Sequence, residues 1–314
     1  MSIDFTIIGI ILAIGAGSAI NLGIVIQKRA VNEIPPEKRD QKFFRSLVVR
    51  RTWLLGLLVQ IGIGTTCTIV AAAFIGPALL PGLLAVGLIP MAIGASKIVG
   101  ERLKKTEIFA ILLIVIAAIL LVVSDVSIPV TDPSYFDYNF WAREWIFTGA
   151  FFVIIFLCEV AQRKVKKTQS LSLAVQAGCF LALANYWLNP VEAHIVHLFA
   201  GELIPWELLN GILGAVVLAL ANVFNIAATQ KAFKSGNASV VIPVEQVPIN
   251  IAPIIIYFLV FLFPAREAST LPFLLIVVGL IIVSSYLLAR RQSQLEGIKI
   301  ETTESHPEES ETPD

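Results

Sequence analysis

Glu245 is the residue in this sequence best placed to do chemistry. It lies in a long apolar run, between Pro243 and Pro248. A charged group deep in a membrane costs about 2.5–3.5 kcal/mol on insertion scales. A water-filled cavity, a cation or a neighbouring donor would offset that cost. Gln246 and Asn250 follow closely and add amide oxygens and N–H donors. Glu159 is the other acid read as lying inside an apolar run. Arg163 and Lys164 stand about one turn from it, which points to pairing and a structural role. Asn222, Asn225 and Thr229 are spaced by three and four, so a helix would put them on one face. Ser18 and Asn21 lie in the first apolar run, and Thr65, Thr66 and Thr68 in the second. For the hydroxyls the plain reading is helix–helix hydrogen bonding, worth about 0.6 kcal/mol on average. The amides around Glu245 read instead as the lining of a path. Glu245 is the candidate metal ligand, with Gln246, Asn250, Asn222, Asn225, Asn21 and Thr65 along the path.

Other reactive residues give less. Cys67, Cys158 and Cys179 fall in apolar runs without paired spacing, and read as small buried hydrophobes. His194 and His197 are three apart and near Glu192, a spacing that suits a borderline metal, although Zn²⁺ usually needs more ligands. No P-loop, HExxH or G-x-S-x-G is present, so no enzyme activity and no resident cofactor are expected.

The elements that must position these residues follow from composition. The 314 residues are 57% hydrophobic and 15% charged, with a mean hydropathy of +0.83. A soluble domain is about 45–50% apolar and about 25% charged, so the excess calls for a lipid bilayer. The formal net charge of zero excludes a global basic footprint for nucleic acid. Nine stretches are long enough to cross: Phe5–Gln27, Thr52–Ile75, Ala78–Val99, Glu107–Ser124, Trp145–Gln162, Leu171–Leu188, Glu207–Ala232, Ser239–Phe263 and Leu271–Ala289. They read as helices, since the alternation of a barrel strand is missing. Gly76–Pro77 joins the second and third as a tight hairpin. The acidic leader before the first span argues against a cleaved signal peptide.

Collecting every second connection, beginning with 28–51 and ending with the tail, gathers 21 Lys and Arg. The opposite set holds only Arg143 and Arg266. Positive charge marks the cytoplasmic side. This places the C-terminus inside and the N-terminus outside a cell membrane. The chain divides into a first helical repeat, 1–143, with a cytoplasmic loop at 28–51. A second repeat covers 144–290, and an acidic tail, 291–314, reads as disordered.

Proline in a span frees backbone groups that must be satisfied again. The third span holds Pro81 and Pro90, and the eighth Pro243, Pro248 and Pro253. Residues 72–90 and 231–248 echo one another. Arg102, Thr106 and Phe109 match Arg266, Thr270 and Phe273 at a constant offset of 164. A displacement of five spans would give the halves opposite orientation. Inverted repeats with Pro-broken helices at matching places point to a substrate site near the middle of the membrane.

Three segments carry a family resemblance that covers about residues 8–290. GIVIQKRAV at 23–31, GERL at 100–103 and QKAFKSGNASVVIP at 230–243 resemble the drug/metabolite transporter (EamA-like) superfamily. Within it they are similar to the NIPA-like magnesium transporter branch, which nine spans also suit. The last segment is the most specific. In that branch a Glu and then an Asn follow the second-span glycine; here Thr65 and Thr68 stand there, after Gly64. Where the branch tends to have a Tyr pair after the eighth-span proline, this chain has Glu245 and Gln246. The resemblance implies an all-α bundle of inverted repeats that carries Mg²⁺. Glu245 would stand in for the missing carboxylate. The alternative is export of a small organic metabolite or amino acid, and a third reading is a non-transporting membrane scaffold. A homodimer is left open.

Overall fold

The computed structural model describes residues 3–35, 43–75, 80–123, 138–165, 168–200, 205–262 and 270–305. Among these residues every regular element is a helix. Helix α1 spans Ile3–Asn32, and a short α2, Phe43–Val48, follows. Next come α3, Arg51–Leu57, and α4, Thr66–Ile75, joined into one span by a π-wound stretch, Leu58–Thr65. Two short helices follow, α5, Leu80–Ala85, and α6, Leu88–Gly94, the latter ending in a π turn at Ala95–Val99. Long helices make up the rest: α7, Lys105–Val123; α8, Tyr138–Lys164; α9, Gln169–Ala200; and α10, Pro205–Ser235. Then come α11, Ala238–Ile255, which also ends in a π turn, Ile256–Val260, and α12, Thr270–Ser305.

Among the described residues, eight helical stretches are long and apolar enough to cross a membrane. Large side chains such as Leu58, Ile146, Phe156 and Leu275 stand exposed on them. So much outward apolar surface needs lipid rather than water, and the chain is a multi-pass membrane protein. The expected fourth span, Glu107–Ser124, is helical as α7 and stands beside these eight. The Gly76–Pro77 hairpin lies outside the described residues.

Two spans form the interior. Of the 18-residue apolar window within Gln169–Ile195 of α9, 67% is buried, and of that within Ala238–Val260, 61%; for the window within Arg51–Ala71 the share is 17%. A polar side chain on α9 or α11 therefore meets protein, while one on the second span more often meets lipid.

The two proline-rich spans behave differently. The third is broken at Val86–Gly87, between α5 and α6. Pro90 has no N–H to offer the carbonyl of Val86 four residues back. Ile89 donates to that carbonyl instead, at 3.0 Å, and the chain tightens there. Gly87 keeps a right-handed backbone there, and its missing side chain makes room for α1: a Cβ would collide with the Gly17 carbonyl. In contrast, α11 runs unbroken through Pro243, Pro248 and Pro253. Its sequence contains no glycine, and its departure from α geometry comes only after Pro253. The expectation of a break at the eighth-span prolines is corrected to a continuous helix ending in a wide turn.

Two close helix contacts share one spacing. A Cβ on Gly17 of α1 would collide with the carbonyl of Leu84, beside the break. A Cβ on Gly178 of α9 would collide with the carbonyl of Glu245. Positions 17 and 178, and 84 and 245, are both 161 apart, as are the π turns at 95–99 and 256–260. At that spacing Pro81 and Pro90 fall on Ile242 and Ile251, so the prolines of the two spans are neighbours in pattern rather than equivalents.

At the far end α12 continues past the apolar stretch to Ser305. The backbone over 291–305, where the sequence suggests a disordered tail, is helical. The remainder of that tail, 306–314, lies outside the described residues.

Candidate site around Glu245

Three helices meet at Glu245. Gly178 lets α9 and α11 touch backbone to backbone, and α10 closes the third side. The Glu245 side chain is 4% exposed. Asn225 donates its amide to Oε1 at 2.6 Å, and Thr229 donates its hydroxyl to Oε2 at 3.1 Å. The other Asn225 hydrogen goes to the carbonyl of Ala177, at 3.0 Å, so both its donors are engaged. Among the described residues no Lys or Arg forms an ion pair with Glu245. The carboxylate is thus held by neutral donors only.

Further polar capacity lies on the same helix. Prolines 243, 248 and 253 leave the carbonyls of Ser239, Val244 and Ile249 without their usual helical donor. Asn250 is 5% exposed, and its Nδ2 is buried without a hydrogen-bond partner. Gln246 is half-buried.

Other expected members are not brought to this place. Asn222 is exposed and donates back to Leu218 O at 2.9 Å, although Asn225 and Thr229 are buried one turn on. Thr65 is exposed on the π-wound stretch. Asn21 is buried but donates within its own helix, to Gly17 O at 2.9 Å. Pro90 is half-buried beside the break, and Pro81 lies in α5, its side chain outside the described residues. Glu159 pairs with Arg163 at 2.7 Å, the structural role expected of it. His194 places Nδ1 2.5 Å from Pro190 O, while the side chains of Glu192 and His197 are outside the described residues. Among the described residues no group of three or more His, Cys, Asp or Glu is arranged to hold a metal ion. The three cysteines are free thiols.

Several polar residues near span ends prove to be interior. Lys28, 5% exposed, reaches from α1 to the carboxyl end of α10, donating to Phe233 O and, at 2.7 Å, to Gly236 O. Glu101, 9% exposed, receives the amides of Ala238 and Ser239 at 2.7 and 3.0 Å, the opening turn of α11. A cation thus closes the end of one helix and an anion the start of the next, each matched to the partial charge of that terminus. Glu144 is fully buried, accepting from Tyr186 Oη and from Asn210 Nδ2, both at 3.0 Å. Gln27 and Gln230, 1% and 2% exposed, bond one another between α1 and α10. All five stand beside a charged neighbour or at a run's edge, which in sequence looks like a boundary. The one usable signal was Thr148, four residues after Glu144.

No protein-family profile, curated protein or solved structure matches this chain. The likeness to the magnesium-transporter branch therefore rests on the residues already quoted.

Proposed function

We propose that this protein is a secondary transporter or facilitator for a divalent cation, with Mg²⁺ as first candidate. One observation carries the reading: Glu245 is a buried carboxylate in an interior span, held by neutral donors and, among the described residues, offered no basic partner. Such a group has negative charge to give to a passing cation. Mg²⁺ dehydrates reluctantly, so few carboxylates and many neutral oxygens suit it. The carbonyls freed on α11 supply such oxygens. Inward movement of two charges gains about 4.6 kcal/mol per 100 mV, so no ATP is required.

The common spacing of the Gly17–Leu84 and Gly178–Glu245 contacts, and of the two π turns, supports an internal repeat. With α7 counted, the chain has nine spans, and the two repeats would lie in opposite orientation. The distribution of positive charge supports a cytoplasmic C-terminus. At the same spacing Leu84, Gly64 and Thr68 correspond to Glu245, Asn225 and Thr229. Thr68 donates only to Gly64 O, in its own helix, so the polar site belongs to the second half.

The test is Mg²⁺-dependent growth of an uptake-deficient host. Rescue is expected with the natural chain and with Glu159→Gln, and is expected to be lost with Glu245→Gln. Equal behaviour of the two variants would sink the assignment. A second reading, export of an amino acid or similar metabolite, is favoured by Asn250, whose buried Nδ2 suits a carboxylate rather than a cation. Labelled amino-acid flux into proteoliposomes, indifferent to Mg²⁺, would establish it.

A further inference from the structure

Three glutamines from three different spans form a chain of hydrogen bonds. Gln230 of α10 donates through Nε2 to Gln27 Oε1 at 2.7 Å. Gln27 of α1 donates in turn to Gln60 Oε1 at 2.6 Å. Gln60 sits in the π-wound stretch of the second span. Single π turns inside α-helices concentrate at functional sites, because they turn side chains out of the ordinary register. Gly23 and Gly56 let α1 and α3 approach until a Cβ on either would stand 2.6 Å from the other's carbonyl oxygen. That approach brings Gln27 onto the second span.

Among the described residues the acceptor at the head of this chain has no partner: Gln230 Oε1 is buried and receives no donor. Leaving a buried acceptor unsatisfied keeps its full desolvation penalty, and such atoms are few in native structures. Gln230 also follows Thr229, the donor to Glu245. An open acceptor beside the site's own helix face calls for a ligand that donates. A cation that brings hydrogens satisfies it: the water shell of a divalent metal ion, or the N–H groups of a primary ammonium.

We propose that Gln27, Gln60 and Gln230 form a second cargo site, in which Gln230 Oε1 accepts from a donor-bearing cation on its way to or from Glu245. This rests on the transporter reading. Gln27 and Gln60 hold the Gln230 amide in place, and selectivity lies in its oxygen.

The full chain in detergent is heated with increasing MgCl₂, and separately with ethylammonium chloride at matched ionic strength. The natural protein is expected to gain melting temperature with Mg²⁺. Gln230→Leu is expected to need about tenfold more Mg²⁺ for the same gain, and Gln230→Glu no more than the natural chain. A purely structural glutamine would move the ligand-free melting temperature and leave the Mg²⁺ dependence alone, and that result overturns the second site. A response confined to ethylammonium and weakened by Gln230→Leu upholds the site and overturns the metal reading. No response to either cation in the natural chain overturns both.

Discussion

Gly178 and Glu245 meet backbone to backbone, with no room for a methyl group between them. The catalogue of small residues in a membrane protein is usually about packing. Here the packing also fixes the position of a carboxylate. Gly178→Ala is expected to destabilise the protein by about 1–3 kcal/mol, the usual cost of overpacking. Gly149→Ala and Gly279→Ala, where a Cβ meets nothing, should be tolerated. Melting in detergent compares the three, and an unaffected Gly178→Ala would show that α9 and α11 are not in contact.

Asn225 and Asn222 are one turn apart and should behave differently. Asn225→Leu removes two buried bonds, to Glu245 and to Ala177, and leaves an acceptor exposed to an apolar wall. A loss of about 1.5–3 kcal/mol is expected, as for hydrogen bonds to charged groups. Asn222→Leu, on an exposed position, should stay within about 0.5 kcal/mol. Similar losses at both positions would mean that α10 is rotated from the orientation described.

The two helix ends at 233–239 give a paired prediction. Lys28→Met strips the donor from Phe233 O and Gly236 O, and Glu101→Leu strips the acceptor from the amides of Ala238 and Ser239. Each is expected to cost about 1.5–3 kcal/mol. Because the two act on ends separated by one short turn, the double variant should lose less than the sum. Strict additivity in a melting series would count against a shared function.

Tyr186→Phe removes one of two donors to Glu144 and should cost about 1 kcal/mol. Glu144→Leu removes the acceptor of both Tyr186 and Asn210, and a loss above about 2 kcal/mol is expected. Trp187→Ala, in the same aromatic cluster, empties a fully buried site and should cost about 3–5 kcal/mol. The ordering of these three by thermal melting is the check, and Tyr186→Phe as the most damaging would contradict it.

Part of this was legible in the sequence. An acid between two prolines in an apolar run stands out, and spacing puts Asn225 and Thr229 on one face of α10; only the fold turns that face to Glu245. Asn222 failed for a plain reason: helical spacing gives a face but not what that face looks at. Burial of α9 and α11 decides which polar groups are interior, and hydropathy ranks a lipid-facing and a protein-facing residue alike. The prolines misled in another way. Proline alone does not decide whether a span breaks: the chain tightens at Val86–Gly87 before Pro90, while α11 runs on through three prolines. Lys28, Glu101, Gln27, Gln230 and Glu144 were hidden because polarity near a span end reads as water; here Lys28 and Glu101 meet helix ends from elsewhere in the chain, and the other three meet buried side chains.

The ties at Lys28 and Glu101 also set an order of assembly. Lys28 meets a partner 205 positions later, and Glu101 one 137 positions later. Spans enter the bilayer from the N-terminus onward, so both charged side chains must wait for α10 and α11 to arrive. Until then both lack these partners. Closure of the bundle is therefore a late event in biogenesis. A chain stalled before residue 239 should hold its first spans in the membrane in a loose state, open to protease.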